Sequence, residues 1–200
     1  MDRIKKVTKL TNNRFLNLYE LSATFRDGSS APYYVASRRK SEDQIKAVTG
    51  DNHPDGVILY GVHGERRDKV VLVRQFRYPI NDYVYEFPAG LVEPGEDLLD
   101  AGVREMFEET GLTFCPIGTA KPFYMTVGMT DESCGTVFGY CTGTPTNCHQ
   151  EGTEDIQVVL ADRSECRRIL KEENVALPCA YMLMHFVASE VDPLKLLNAQ

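Results

Sequence analysis

The sequence predicts a mixed β-sheet with helices on its faces, preceded by a small antiparallel sheet of its own. Three observations predict it. Short β-rich runs dominate the first two thirds of the chain but do not alternate regularly with helices, so a plain βαβ repeat is excluded. A Gly-Pro-rich turn opens a single long acidic helical run that closes at Gly111. Two further helical runs come only at the end. Two hundred residues, 42% apolar and 26% charged, suit one globular domain or one domain with a small appendage. The reading divides the chain into a β-sheet subdomain over residues 1–45 and a main domain over 46–200.

In chain order, residues 3–9 and 14–25 carry β-rich patterns, with Phe15, Leu16, Leu18, Tyr19, Leu21 and Phe25. Arg26-Asp27-Gly28-Ser29-Ser30 is a turn signal, and Pro32 to Ser37 resumes a strand. Ser41 to Asn52 reads as polar linker with one helical turn. Residues 56–63 and 69–76 are apolar strands joined by Gly64-Glu65-Arg66-Arg67-Asp68, a hairpin by pattern. Tyr83 to Phe87 is a short strand ending at Pro88-Ala89-Gly90. The spacing of Leu98, Leu99, Gly102 and Met106 predicts a helix over 97–109. Strands follow over 112–126, 134–142 and 156–160. Asp162 is placed to cap a helix over 163–173, and a last helix covers 177–189.

The net charge of −7 disfavours a general nucleic-acid surface, though it leaves room for a local cationic pocket. No apolar h-region opens the chain and no stretch approaches a membrane span, so a cytoplasmic protein with no membrane partner is expected. The six cysteines form no CxxC pair and read as reduced, mostly buried thiols.

The stretch from Gly90 to Leu112 concentrates the chemistry. It holds seven carboxylates, Glu93, Glu96, Asp97, Asp100, Glu105, Glu108 and Glu109, against the single Arg104. Glu105, Glu108 and Glu109 share one helical face, where like charges repel. Helix stability alone would not select that arrangement. A divalent cation resolves it, and hard carboxylate oxygens suit Mg²⁺ or Mn²⁺.

The order Gly90, Glu96, Arg104-Glu105, apolar Met106, Glu108-Glu109, Gly111, apolar Leu112 resembles the Nudix box of the Nudix hydrolase superfamily, with no position missing. The resemblance implies an α/β/α sandwich with the box as loop-helix-loop, acting on a nucleoside diphosphate linked to another group. It implies metal ligation by Glu105, Glu109 and the Ala89 carbonyl, with Glu108 assisting or holding a water. Arg104 is expected to pair with Glu96 or a box carboxylate. Gly90 is expected to allow a tight turn, and Gly111 to cap the helix with positive φ.

The flanks narrow the resemblance. Val73-Arg74-Gln75-Phe76-Arg77-Tyr78-Pro79 and Tyr85-Glu86-Phe87-Pro88-Ala89-Gly90 resemble the ADP-ribose pyrophosphatase and nucleoside diphosphate sugar hydrolase branch. By that resemblance Arg77 contacts the substrate diphosphate or ribose, a role its bidentate fork suits, and Glu86 sits by the metal cluster or the ribose. The N-terminal sheet would join two copies into a homodimer and supply Tyr33 or Tyr34, with Arg38, to the base. Glu132 fits the loop that follows the box. A loop glutamate before the last strand would orient or deprotonate the water, Glu154 first and Glu151 second. Val127 stands where ADP-ribose hydrolases often carry proline; an apolar residue followed by Gly resembles UDP-sugar hydrolases there. The activity implied is metal-dependent hydrolysis of ADP-ribose or a related nucleotide sugar to a nucleoside monophosphate and a sugar phosphate. A house-cleaning pyrophosphatase for triphosphates or dinucleotides, and an inactive nucleotide-sugar sensor, are the alternatives.

Overall fold

A computed structural model describes residues 3–148, 155–189 and 192–195. Its strands are β1 (Ile4–Lys9), β2 (Asn17–Thr24), β3 (Ser30–Ser37), β4 (Gly56–His63), β5 (Lys69–Arg77), β6 (Asp82–Glu86), β7 (Ala89–Leu91), β8 (Thr113–Tyr124), β9 (Ser133–Thr142) and β10 (Ile156–Asp162). Its helices are α1 (Lys46–Thr49), α2 (Leu98–Thr110), α3 (Arg163–Glu172) and α4 (Leu177–Ala188). The chain forms two compact units. The smaller comprises Met1–Asp55 with Pro122–Cys134, the larger Gly56–Lys121 with Gly135–Gln200.

In the smaller unit β1, β2 and β3 form a three-stranded antiparallel sheet in sequence order. Strand β2 alternates buried positions with partly covered or exposed ones, as a half-covered sheet requires. Its inner residues Tyr19 and Leu21 meet Val35 and Ile45 in a small core. The expected polar linker contains a 3-10 turn over Glu42–Gln44 and then α1.

In the larger unit the main sheet has the order β10-β5-β4-β9-β8, with β6 beside β5 and β7 beside β4. The expected hairpin between β4 and β5 closes only at its tip, at Val62–Val70 and His63–Lys69. Beyond it the two strands part. Strand β5 pairs there with β6, from Val73–Glu86 to Arg77–Asp82. Strand β4 takes β7 instead, pairing Ile58 with Ala89 and Val57 with Gly90. Three-residue β7 has too little pattern to be read from sequence, yet its register places the backbone on which the acid helix converges.

Alternate residues of the central strands feed two cores. Val57, Leu59 and Val71 face α2 and join Ala101, Met106, Val137 and Cys141. Tyr60, Val62, Val70 and Leu72 point the other way, against Cys166 and Ile169 of α3 and Cys179, Leu183 and Phe186 of α4. A sheet whose strands are apolar on both faces must be covered on both, which makes an α/β/α sandwich. Asp162 caps α3 by accepting from the Ser164 and Glu165 amides, as its position predicts. Met106 is fully buried between sheet and acid helix. We expect Met106→Ala to lower unfolding free energy by about 2–5 kcal/mol in urea titration, through the cavity it leaves.

Candidate active site

The site is built where α2 leaves the sheet. Asp97 caps the helix by accepting from the Leu99 amide, and Gly111 ends it at φ 69°, a left-handed conformation that glycine adopts without strain. Thr146 sits over that end, its amide donating to the Thr110 carbonyl at 2.8 Å. The apolar side of α2 anchors on the sheet and turns Glu105 and Glu109 toward β7. Glu109 is buried, and its Oε2 accepts from the Ala89 amide at 3.1 Å. A Cβ at position 90 would overlap the Glu105 carboxylate. Gly90 lies within β7 and not in a tight turn, so what it supplies is space for that carboxylate. Both glutamates therefore converge on the Ala89–Gly90 backbone.

Arg104 offsets part of the cluster's charge. Its Nε and Nη2 meet the two oxygens of Glu96 at 2.9 Å each, while Nη1 donates to Glu105 at 2.8 Å and to Glu108 at 3.1 Å. The guanidinium fork, helped by the Glu93 amide, holds the Glu96 carboxyl down to about 2. The same contacts, Glu96 foremost, raise the Arg104 pKa. Among the described residues, no three Asp, Glu, His or Cys side chains form a ready-made cage for a metal ion. The donor chemistry still fits a hard divalent cation: two carboxylates lie against the Ala89–Gly90 strand backbone, that of Glu105 in the space a Cβ at position 90 would take.

Also in the larger unit, Arg77 and Glu86 hold each other, with Nε and Nη2 each 2.7 Å from one Glu86 oxygen. In the smaller unit Arg38 pairs with Glu132 at 2.8 Å, and the Tyr33 hydroxyl donates to the Gly128 carbonyl at 2.8 Å. The Tyr34 hydroxyl donates instead to Glu20 at 3.3 Å. Neighbouring strand positions face opposite sides, and the two tyrosines divide accordingly. Tyr33, Tyr34, Arg38 and Glu132 thus belong to the smaller unit, and Ala89, Glu105, Glu108, Glu109, Arg77 and Glu86 to the larger; within the larger, Ala89, Glu105 and Glu109 are brought together, and Arg77 and Glu86 form a separate pair. Glu151 and Glu154 lie outside the described residues.

Sequence reasoning missed two networks. Lys46 and Asp55, both buried, pair at 2.7 Å, and Lys46 also donates to Ser133. Asp55 takes a second cation, Arg39, at 2.8 Å. Nothing local marks these residues, because the chain brings them together from three segments. Tyr83 donates to Asp155 at 2.6 Å, with Arg74 over its ring at 4.1 Å. The six cysteines are free thiols; Cys141, Cys166 and Cys179 are buried, Cys134 is partly so, and Cys115 and Cys148 are exposed. Burial pushes the Cys134, Cys141 and Cys166 thiols up to about 12, which keeps them protonated and unreactive.

A sandwich whose acid helix presses carboxylates onto a short strand defines an oxygen-lined centre whose donors suit a hard divalent cation. The NUDIX domain profile matches residues 52–175, and the chain belongs to the Nudix family. It is 38% identical over 80 residues to an ADP-ribose pyrophosphatase of Bacillus subtilis (strain 168), covering 40% of this chain and 42% of that protein. It is 38% identical over 98 residues to an ADP-ribose pyrophosphatase of Saccharomyces cerevisiae, covering 48% and 42%. Against a putative nudix hydrolase 2 of Caenorhabditis elegans it is 34% identical over 117 residues, covering 55% and 52%. The chain thus spans about half or less of the length of these curated relatives. A crystal structure of an ADP compounds hydrolase shares the fold with TM-score 0.68 at 17% identity, over 92% of this chain and 90% of that one.

The Glu96 carboxyl titrates lower in the folded chain than its ordinary 4.5, so its contribution to stability is complete above about pH 4.5 and is lost as pH falls through about 2. Glu96→Gln should flatten the fall of the urea midpoint across that window; an unchanged slope would show that Glu96 is not responsible.

Proposed function

We propose that the protein hydrolyses the diphosphate linkage of ADP-ribose or a related nucleoside diphosphate sugar, releasing a nucleoside monophosphate and a sugar phosphate. The observation that carries this reading is the convergence of Glu105 and Glu109 on the Ala89–Gly90 backbone. The names of the B. subtilis and S. cerevisiae relatives support the substrate class.

In this reading Glu105, Glu109 and the Ala89 carbonyl hold Mg²⁺ or Mn²⁺, with Glu108 beside them. The bound cation offsets the diphosphate's charge and makes water a better nucleophile at neutral pH. The chain's own groups do the rest. Arg77 meets the diphosphate with its fork, and the incoming oxygens compete with Glu86 for the guanidinium. Glu86, freed, is an acceptor for a ribose hydroxyl. Tyr33 offers a ring and Arg38 a charge to the nucleoside, and Glu132 keeps Arg38 oriented until then. Tyr34 is the alternative ring. Glu154, or Glu151, takes the proton of the attacking water. The exposed Phe15, Leu16, Leu18, Phe25 and Tyr34 of the smaller unit favour a homodimer through the N-terminal sheet.

Turnover with Mg²⁺ of ADP-ribose, ADP-glucose, UDP-glucose, GDP-mannose and NADH tests the reading. At least one nucleotide sugar should be cleaved to monophosphate and sugar phosphate, and Glu109→Gln should cost about 100-fold or more in kcat while far-UV circular dichroism is unchanged. No turnover of any substrate would sink it. Sedimentation at micromolar protein should give the dimer mass; a monomer would remove the cross-subunit role of the sheet.

A further inference from the structure

Arg104 does more than balance charge in this geometry, because its guanidinium is held at one end and working at the other. The held end is Nε with Nη2, forked onto Glu96 at 2.9 Å each, with Nη2 donating also to the Leu91 carbonyl at 3.0 Å. Glu96 is itself fixed, since its Oε2 accepts from the Glu93 amide at 2.9 Å. The working end is Nη1 alone, which reaches Glu105 at 2.8 Å and Glu108 at 3.1 Å. Glu96 stands outside the set of residues assigned to the metal, while Glu105 and Glu108 stand inside it.

We propose that Arg104 is a resident counter-cation that competes with the divalent cation for Glu105 and Glu108, and that Glu96 sets the strength of the competition by holding the guanidinium back. This inference rests on the metal-centre reading above. A divalent ion reaching Glu105 either displaces Nη1 or binds against its positive charge, and both weaken binding. Removing the Arg104 charge therefore tightens the site. Removing the Glu96 carboxylate has the opposite effect, because the whole fork can then turn onto Glu105 and Glu108. A purely structural arginine behaves differently: loss of either partner would loosen the helix face and weaken metal binding. The arrangement lets the acid cluster fold without metal and sets the cation concentration at which it fills.

Mn²⁺ binding, followed by the electron paramagnetic resonance of the free ion, tests this without any turnover. Arg104→Gln should tighten the Mn²⁺ Kd by roughly three- to tenfold. Glu96→Gln should weaken it, and the double variant should match Arg104→Gln, since Glu96 acts through Arg104. Weaker Mn²⁺ binding by Arg104→Gln, or a Glu96→Gln effect that persists in the double variant, overturns the proposal. Absence of Mn²⁺ binding by the unmodified protein overturns the metal-centre reading and the inference with it. Should the glutamine variant not fold, the unmodified protein still decides. The ¹⁵N signal of Arg104 Nη1 should shift as Mg²⁺ saturates the site while that of Nε, still held by Glu96, moves less, and an Nη1 signal unmoved at saturation overturns the proposal.

Discussion

Carboxylates repel, and α2 carries three of them within two turns of helix, two drawn against a strand backbone. Everything around the candidate site answers that constraint. The apolar side of the helix buries Ala101 and Met106 against the sheet, so the helix cannot rotate its charges into water. Arg104 spans Glu96, Glu105 and Glu108, supplying a guanidinium where three carboxylates crowd. The Ala89 amide gives the buried Glu109 a donor, without which that burial would be costly. The missing Cβ of Gly90 leaves room for Glu105.

The helices and the acid centre were legible because their signals are local. The apolar spacing of the acid run predicts a helix over 97–109, and α2 is Leu98–Thr110. Asp162 announces α3, and Gly111 announces the end of α2. Contacts that depend on how distant segments return were not legible. Ser133 meets Asp55 and Lys46 only once the chain has left and re-entered the small unit. Strand β7 is defined by its partner, since Ala89–Leu91 has no periodicity of its own. The apolar runs of β4 and β5 predict a hairpin correctly at the tip, but only the sheet shows that they part to admit β6 and β7. Gly90 illustrates the limit best. Its identity reads as a turn signal, whereas its use is steric, and steric demands on a glycine come from a side chain fifteen positions away.

The pairs Arg77–Glu86 and Arg38–Glu132 share a design with Arg104–Glu96. Each couples an arginine to a glutamate that fixes its guanidinium. Such partners limit the rotamer entropy lost when the arginine is used, at the cost of an ion pair that must be exchanged. In the proposed function the Arg77–Glu86 and Arg38–Glu132 pairs are exchanged for substrate contacts, an exchange that an anion with more than one negative oxygen favours.

The smaller unit has its own core in Tyr19, Leu21, Val35 and Ile45, and its own buried ion pair in Lys46–Asp55. The core beneath α2 is built from other residues, Val57, Leu59, Val71, Ala101 and Met106 among them. That separation matters for divergence. In the proposed function, Tyr33, Arg38, Val127 and Glu132 select the nucleotide from a unit with its own core, while the acid helix rests on another. In that reading the residues that select can change without rebuilding the core beneath those that react.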